Sequence, residues 1–105
     1  MILGALTRTD VETRLAPVRA DIRRLGVTRL ALFGSVQRGA ARPDSDVDVL
    51  VEFRPGEKTY KRFFALAELL EEILGRRVEL VTPEALSPFL KQRILAEASD
   101  VLGAA

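Results

Sequence analysis

Two aspartates, Asp46 and Asp48, stand at the start of an apolar segment, Val47 to Phe53, whose composition predicts a strand. Side chains alternate between the two faces of a strand, so both carboxylates point to one face, and the apolar side chains point to the other: Val47, Val49, Val51 and Phe53. Two such anions repel each other unless a divalent cation lies between them, and oxygen ligands favour magnesium or manganese. The alternative is structural: Asp46 caps the loop and Asp48 lies on a solvated face of the sheet.

A glycine and a serine, Gly34 and Ser35, directly follow a second apolar segment, Val27 to Phe33, which predicts a buried strand. A turn at this position exposes backbone N–H groups and a hydroxyl, which suits a phosphate group. The alternative is an ordinary turn with Ser35 as a helix cap. Arg38 and Arg42 lie between this turn and the aspartates, either as a clamp for phosphate charge or as solvated surface residues.

A third carboxylate, Glu79, stands between Val78 and Leu80 in a predicted strand from Arg76 to Val81. In a strand with one wet face, such a residue either faces solvent or converges on the site of the two aspartates. We expect it to face the same cleft as the aspartates.

The composition narrows the available chemistry. The 105 residues include no cysteine and no histidine, which excludes disulfides, thiolate and imidazole metal sites, and histidine-based triads. The 16 Lys and Arg residues nearly balance 15 Asp and Glu residues, so the net charge neither favours nucleic-acid binding nor excludes a local basic patch. We expect no direct binding of nucleic acid. Without an apolar run of about 18 residues or a secretory N-terminus, we expect a cytoplasmic protein with no membrane partner.

The N-terminal third predicts an amphipathic helix. Apolar side chains recur at steps of three and four residues from Val11 to Leu25, and Gly26 ends the pattern. Thr9 and Glu12 have the spacing of a capping box. Pro17 inside the pattern either kinks the helix or divides it into two.

The remaining segments complete a mixed α/β (α+β) fold. A helix is predicted from about Tyr60 to Leu74 and ends at Gly75, and Thr82-Pro83 and Ser87-Pro88 are typical helix starts. The order helix, strand, strand, helix, strand, helix predicts one domain, residues 1–105, with a small mixed sheet flanked by helices. Three aromatic side chains at helical spacing are predicted to be core residues: Phe63, Phe64 and Phe89.

The segment LFGSVQRGAARPDSDVDVLV, residues 32–51, resembles the signature of the minimal nucleotidyltransferases (MNT) of the DNA polymerase β-like superfamily. The similarity continues through RVELVTPE, residues 77–84, and into the last helix, so it covers most of the chain. The combination of a Gly-Ser turn with an Asp-x-Asp pair is far more specific than a lone glycine motif. The resemblance implies the polymerase β-like nucleotidyltransferase fold.

The resemblance also implies an activity, the metal-dependent transfer of AMP from ATP to an acceptor hydroxyl with release of pyrophosphate. By analogy, Gly34 and Ser35 would hold the triphosphate, and Asp46 and Asp48 would bind two Mg²⁺ ions, with Mn²⁺ as an alternative. Glu79 would hold the catalytic metal and help to deprotonate the acceptor. The family usually has aspartate there, so the longer Glu79 puts the metal geometry and the level of activity in question.

Prokaryotic members of this family are commonly paired with a HEPN-domain ribonuclease toxin. The resemblance therefore implies an antitoxin that adenylylates a tyrosine of its HEPN partner. The alternative is a catalytically weak or inactive antitoxin that neutralises the partner by binding and masking it. Apolar residues near the C-terminus exceed what a short terminal helix needs for its own core, and they are a candidate docking face: Phe89, Leu90, Ile94, Leu95, Val101 and Leu102.

Overall fold

The computed structural model describes residues 4–103. It contains four strands and five α-helices in this part of the chain, with 3₁₀ turns at Ala16–Val18 and Pro83–Ala85. No helix within residues 4–103 is long and apolar enough to cross a bilayer. The elements in chain order are α1 (Arg8–Leu15), α2 (Arg19–Arg24), β1 (Val27–Phe33), α3 (Gly34–Gln37), β2 (Val47–Phe53), α4 (Tyr60–Leu74), β3 (Val78–Val81), α5 (Pro88–Glu97) and β4 (Ser99–Asp100).

The four strands form one mixed sheet in the order β3-β2-β1-β4. Strand β1 pairs antiparallel with both β2 and β4, and β2 pairs parallel with β3 across the α4 crossover. The predicted mixed fold is confirmed, as are the bounds of β1, β2 and α4. The third strand begins at Val78 rather than Arg76, and α3 and β4 were not predicted because neither has enough residues to show a period.

The helical N-terminal segment begins earlier than the predicted capping box. The Thr7 hydroxyl accepts a hydrogen bond from the backbone N–H of Asp10 at 3.1 Å, and the Asp10 carboxylate accepts one from the backbone N–H of Thr7 at 3.0 Å. The assignment of this box to Thr9 and Glu12 is therefore wrong; Glu12 instead pairs with Arg8 at 3.1 Å. Pro17 divides the helix, because it lies in the 3₁₀ turn that separates α1 from α2.

One face of the sheet packs against the helices and forms the main core. On β2 this face carries Val47, Val49 and Val51, which are all buried. Helix α4 contributes the stripe Leu66, Leu70 and Leu74, all at 0% exposure and four residues apart. The even-numbered residues of β2, including Asp48, point to the opposite face, where the candidate site lies.

Two of the three aromatic residues predicted as core are exposed. Phe64 is 59% exposed because it precedes Leu66 by two positions, about 200° around a helix of 3.6 residues per turn. Phe89 is 69% exposed, and none of the residues Pro88–Glu97 of α5 is buried. Only Phe63 packs partly against the core.

Only part of the predicted docking face is exposed. Val101 and Leu102 lie beyond the end of α5 and are buried in the core, so they are not available to a partner. Phe89, Leu90 and Leu95 remain exposed on α5.

Candidate active site

The turn between β1 and α3 is held directly against a carboxylate of β2. Gly34 has φ +76°, a conformation that L side chains rarely adopt. A Cβ atom on Gly34 would lie 2.1 Å from Oδ2 and 2.9 Å from Cγ of Asp48. The antiparallel register explains the contact, because Phe33 is the cross-strand neighbour of Asp48. Glycine is therefore required here for two independent reasons, its left-handed backbone and the lack of space for a Cβ atom. The Gly-Ser turn and the Asp-x-Asp pair of the sequence signature thus lie in direct contact.

Ser35 lies inside α3 and is not its cap. The N-cap of α3 is Phe33, which makes no side-chain cap hydrogen bond. Val36 is buried and anchors the short helix, while the carbonyl oxygen of Ser35 accepts a hydrogen bond from the backbone N–H of Ala40 at 2.9 Å. The cap alternative for Ser35 is thus excluded, and its half-buried side chain remains at the turn.

Asp48 is half-buried and lies beside Glu79. The two residues are register partners in the parallel pair of β2 and β3, and partners in such a pair point to the same face. Burial raises the pKa of the Asp48 carboxyl above its ordinary value, and the negative charges of Glu79 and then Asp46 raise it further. The structure therefore brings Glu79 close enough to Asp48 to affect its ionisation, and the carboxylates repel each other.

Asp46 lies one residue before β2 and is exposed. The strand is anchored next to it, because the backbone N–H of Val47 donates to the carbonyl oxygen of Arg77 at 2.8 Å. The backbone beside Asp46 is therefore held in place, while the exposed side chain of Asp46 is less restricted than the half-buried side chain of Asp48. Its effect on the pKa of Asp48 places its charge at the same site.

The two arginines between the turn and the aspartates behave differently. Arg38 reaches the turn region, where its Nη1 pairs with Oε1 of Glu97 at 2.5 Å. Arg42 is exposed in the loop, and its backbone N–H donates to the Ser45 hydroxyl at 2.8 Å. The structure thus brings Arg38 to the candidate site and leaves the Arg42 side chain in the adjoining loop.

Glu97 is a site residue that the sequence analysis missed. Its Oε2 accepts a hydrogen bond from the backbone N–H of Gly34 at 3.4 Å, and its charge also raises the pKa of Asp48. Glu97 is the last residue of α5, 63 positions from Gly34. Only the tertiary fold joins the two, and no spacing in the sequence indicates it.

A divalent cation fits the chemistry of these carboxylates. No group of three or more carboxylates among residues 4–103 lies close enough together to hold a metal ion as the side chains stand. The donors are nevertheless hard oxygen ligands, and their mutual repulsion at Asp48 is what a bound cation would relieve. Asp46, Asp48 and Glu79 would need side-chain adjustments to share an ion.

A cleft of about 770 Å³ lies between the Gly34 turn and α5. Its wall combines apolar side chains with two arginines, a composition that accepts a ligand with both apolar and anionic parts. The residues that line it are Phe33, Gly34, Arg38, Leu90, Arg93, Ile94, Ala96 and Glu97. A separate apolar cleft of about 500 Å³ lies at the start of α4, around Tyr60 and Phe64, and contains none of the site carboxylates.

The chain resembles known proteins over most of its length. The family model described as the nucleotidyltransferase domain matches residues 15–101. The protein adenylyltransferase MntA of Thermococcus cleftensis is 38% identical over 96 residues, which cover 90% of this chain and 96% of that protein.

Solved structures share the fold. A structure described as a minimal nucleotidyltransferase matches with a TM-score of 0.78 and 38% identity, over 90% of this chain and 95% of that one. A chain from the complex of the tri-AMPylated HEPN toxin of Shewanella oneidensis with its MNT antitoxin matches with a TM-score of 0.65. That match covers 93% of this chain and 74% of the other, and its 20% identity supports a likeness of fold alone.

Proposed function

Because the chain belongs to the nucleotidyltransferase domain family, we propose that it transfers AMP from ATP to a hydroxyl group of another protein. The family and fold implied by the sequence resemblance are confirmed. The observation that carries the proposal is the contact at Gly34, where a Cβ atom would lie 2.1 Å from Oδ2 of Asp48. This contact holds the turn that we propose to bind phosphate against the carboxylate that we propose to bind metal, the juxtaposition that nucleotidyl transfer needs.

The turn and its arginines would bind the nucleotide. Backbone N–H groups at Gly34 and Ser35 offer hydrogen bonds to phosphate oxygens, and the serine hydroxyl adds another donor. Arg38 supplies a forked, permanently charged donor that matches phosphate geometry. Arg42 adds positive charge from the neighbouring loop.

The carboxylates would bind the metal ions and handle the proton. In the transfer, the acceptor oxygen bonds to the α-phosphorus of ATP, the bond to the bridging oxygen of the β-phosphate breaks, and pyrophosphate leaves. Bound divalent ions, most simply Mg²⁺, would supply the chemistry that activates the hydroxyl and neutralises the leaving oxygens. Asp46 and Asp48 would hold these ions, and Glu79 would complete the ligand set and accept the hydroxyl proton.

Glu79 differs from the aspartate that the family usually carries at this position. Its extra methylene adds a rotatable bond, so its carboxylate is less well preorganised for a metal ion. If Glu79 acts in the reaction, Glu79→Asp should keep or raise the transfer rate, whereas Glu79→Gln should lower it. A rate that is the same in all three proteins would remove Glu79 from the mechanism.

We assign the acceptor to a tyrosine of a HEPN toxin, which makes this chain an antitoxin. Two likenesses support this: the MntA relative is a protein adenylyltransferase, and a protein of the same fold stands in complex with an AMPylated HEPN toxin. The exposed Phe89, Leu90 and Leu95 of α5 offer a place for a protein partner to dock.

A second candidate function is neutralisation of the partner by binding alone. The exposed apolar side chains of α5 favour it, because they would support a complex whether or not the site is active. The presence of Glu79 in place of the usual aspartate also favours neutralisation by binding.

The deciding experiment mixes the chain with its proposed HEPN partner, in the presence of ATP and Mg²⁺. Transfer should add about 329 Da, the mass of one adenylyl group, to the HEPN chain, and the Asp48→Asn variant should add none. A stable complex without a mass shift would favour masking. Absence of any complex would overturn the antitoxin assignment.

A further inference from the structure

A carboxylate of the chain itself already occupies the donors assigned to the triphosphate. Glu97 places Oε1 on Nη1 of Arg38 at 2.5 Å and Oε2 near the backbone N–H of Gly34 at 3.4 Å. Its two oxygens therefore bridge an arginine and a backbone amide, in the way that two oxygens of a phosphate group would. The contact lies in the cleft between the turn and α5.

The position of Glu97 is fixed by the fold. The residue ends α5, and β4 begins two residues later with the pairing of Ser99 to Leu32 of β1. This pairing ties the end of α5 to the same strand that leads into the Gly34 turn. The Glu97 side chain is only 28% exposed, less than half the exposure of the surface carboxylate of Asp100 at 64%.

An anion at this place cannot remain when a triphosphate binds. Gly34 has one backbone N–H, and a phosphate oxygen and Oε2 of Glu97 cannot both take it at full strength. Two anions at one arginine would also repel each other. Because β4 holds the backbone, the carboxylate would leave by rotation of its own side chain.

We infer that Glu97 is an internal competitor of the nucleotide, which keeps the phosphate-binding turn closed until ATP displaces it. This inference rests on the proposed function, and it adds regulation of the same site. A partner bound along the exposed face of α5 would then alter the competition between Glu97 and ATP for the turn.

The test compares the affinity for ATP with Mg²⁺ in the full chain and in Glu97→Ala, by calorimetry. In this variant, ATP no longer has to break the charge-assisted hydrogen bond between Arg38 and Glu97. Because both side chains are partly exposed, solvent already weakens that bond. We expect Glu97→Ala to bind ATP about three- to tenfold more tightly. Glu97→Gln should show a smaller gain in affinity, because its amide oxygen still accepts from Gly34.

The matched control is Asp100→Asn. It removes one negative charge and one arginine–carboxylate contact, that of Asp100 with Arg29 at 2.7 Å, from the same end of the chain. It should leave the ATP affinity within about twofold, because it leaves the turn untouched. An equal gain in both variants would mean that net charge alone is responsible, which overturns the inference.

The remaining outcomes separate this inference from the proposed function. If the unmodified chain binds ATP and Glu97→Ala binds it equally or more weakly, the competitor role is wrong and the transferase proposal is unaffected. If none of these proteins binds ATP, both are overturned. A second measurement follows the backbone amide resonance of Gly34: it should shift in Glu97→Ala without nucleotide and stay unchanged in Asp100→Asn.

Discussion

Replacing Gly34 with alanine tests directly whether the turn and Asp48 form one unit. The substitution has two separate costs. The backbone at φ +76° disfavours any L side chain, and the added Cβ would meet Oδ2 of Asp48 at 2.1 Å and its Cβ at 3.1 Å. Rotation of the carboxylate relieves the first contact but not the second, so Asp48 must shift as a whole.

The magnitude follows from these two costs. A left-handed backbone costs an L residue about 1–2 kcal/mol, and forcing a methyl group into filled space typically costs about 1–3 kcal/mol. Gly34→Ala should therefore lower the free energy of unfolding by about 2–5 kcal/mol. Gly56→Ala is the matched control, because Gly56 has φ +79° and no atom of residues 4–103 within 4 Å of its Cβ position, its chain neighbours aside. It should cost only about 1–2 kcal/mol.

The assay is urea denaturation followed by far-ultraviolet circular dichroism, since the chain has no tryptophan. Calorimetry then measures the binding of ATP with Mg²⁺ to both variants. Gly56→Ala should keep nucleotide binding, and Gly34→Ala should lose it because Asp48 has moved. Equal destabilisation by the two substitutions, or unchanged binding in Gly34→Ala, would refute the reasoning.

Three further predictions follow from particular contacts. Because the pKa of Asp48 is raised in the folded chain, ionisation of this carboxyl destabilises the fold as the pH rises from the ordinary pKa of 3.8 through the raised pKa. Asp48→Asn should therefore be more stable than the parent protein at neutral pH, and the difference should disappear in acid. The variant should no longer bind ATP with Mg²⁺. Thr7→Ala should cost about 1 kcal/mol in urea denaturation through loss of the cap, whereas a change above about 0.5 kcal/mol in Thr9→Ala would restore the original capping assignment. Leu70→Ala should cost about 2–5 kcal/mol and Phe64→Ala less than about 1 kcal/mol, and similar melting temperatures for the two would contradict the burial described above.

Strands β1 and β2 could be predicted from the sequence because local signals determine their limits. Each is a mostly apolar run of seven residues, a length typical of strands rather than helices, and the two runs end at Gly34 and at Arg54-Pro55. The proximity of Gly34, Asp48 and Glu79 follows once these strands pair, since register then determines the neighbours.

What could not be predicted depends on tertiary contacts. Phe64 and Phe89 are apolar and helical in spacing, yet nothing in the sequence says that each lies on the exposed side of its own helix in the folded chain. Glu97 looks like an ordinary helix-end residue until α5 is placed against the turn. The cap at Thr7 was missed because Asp10 and Glu12 both offer a carboxylate near the first turn, and only backbone geometry distinguishes them.

The order of strands in the sheet has a consequence for how the chain folds. Strands β1 and β2 are consecutive and antiparallel, so the contact between Gly34 and Asp48 requires closure of only one short loop. The pairing of β4 with β1 joins residues that lie far apart in the sequence, such as Leu32 and Ser99, and such non-local pairing is slow. We expect the hairpin of β1 and β2 to form first and Glu97 to reach it last. A nascent chain still held in the ribosome before α5 emerges would then present the turn without its competing carboxylate.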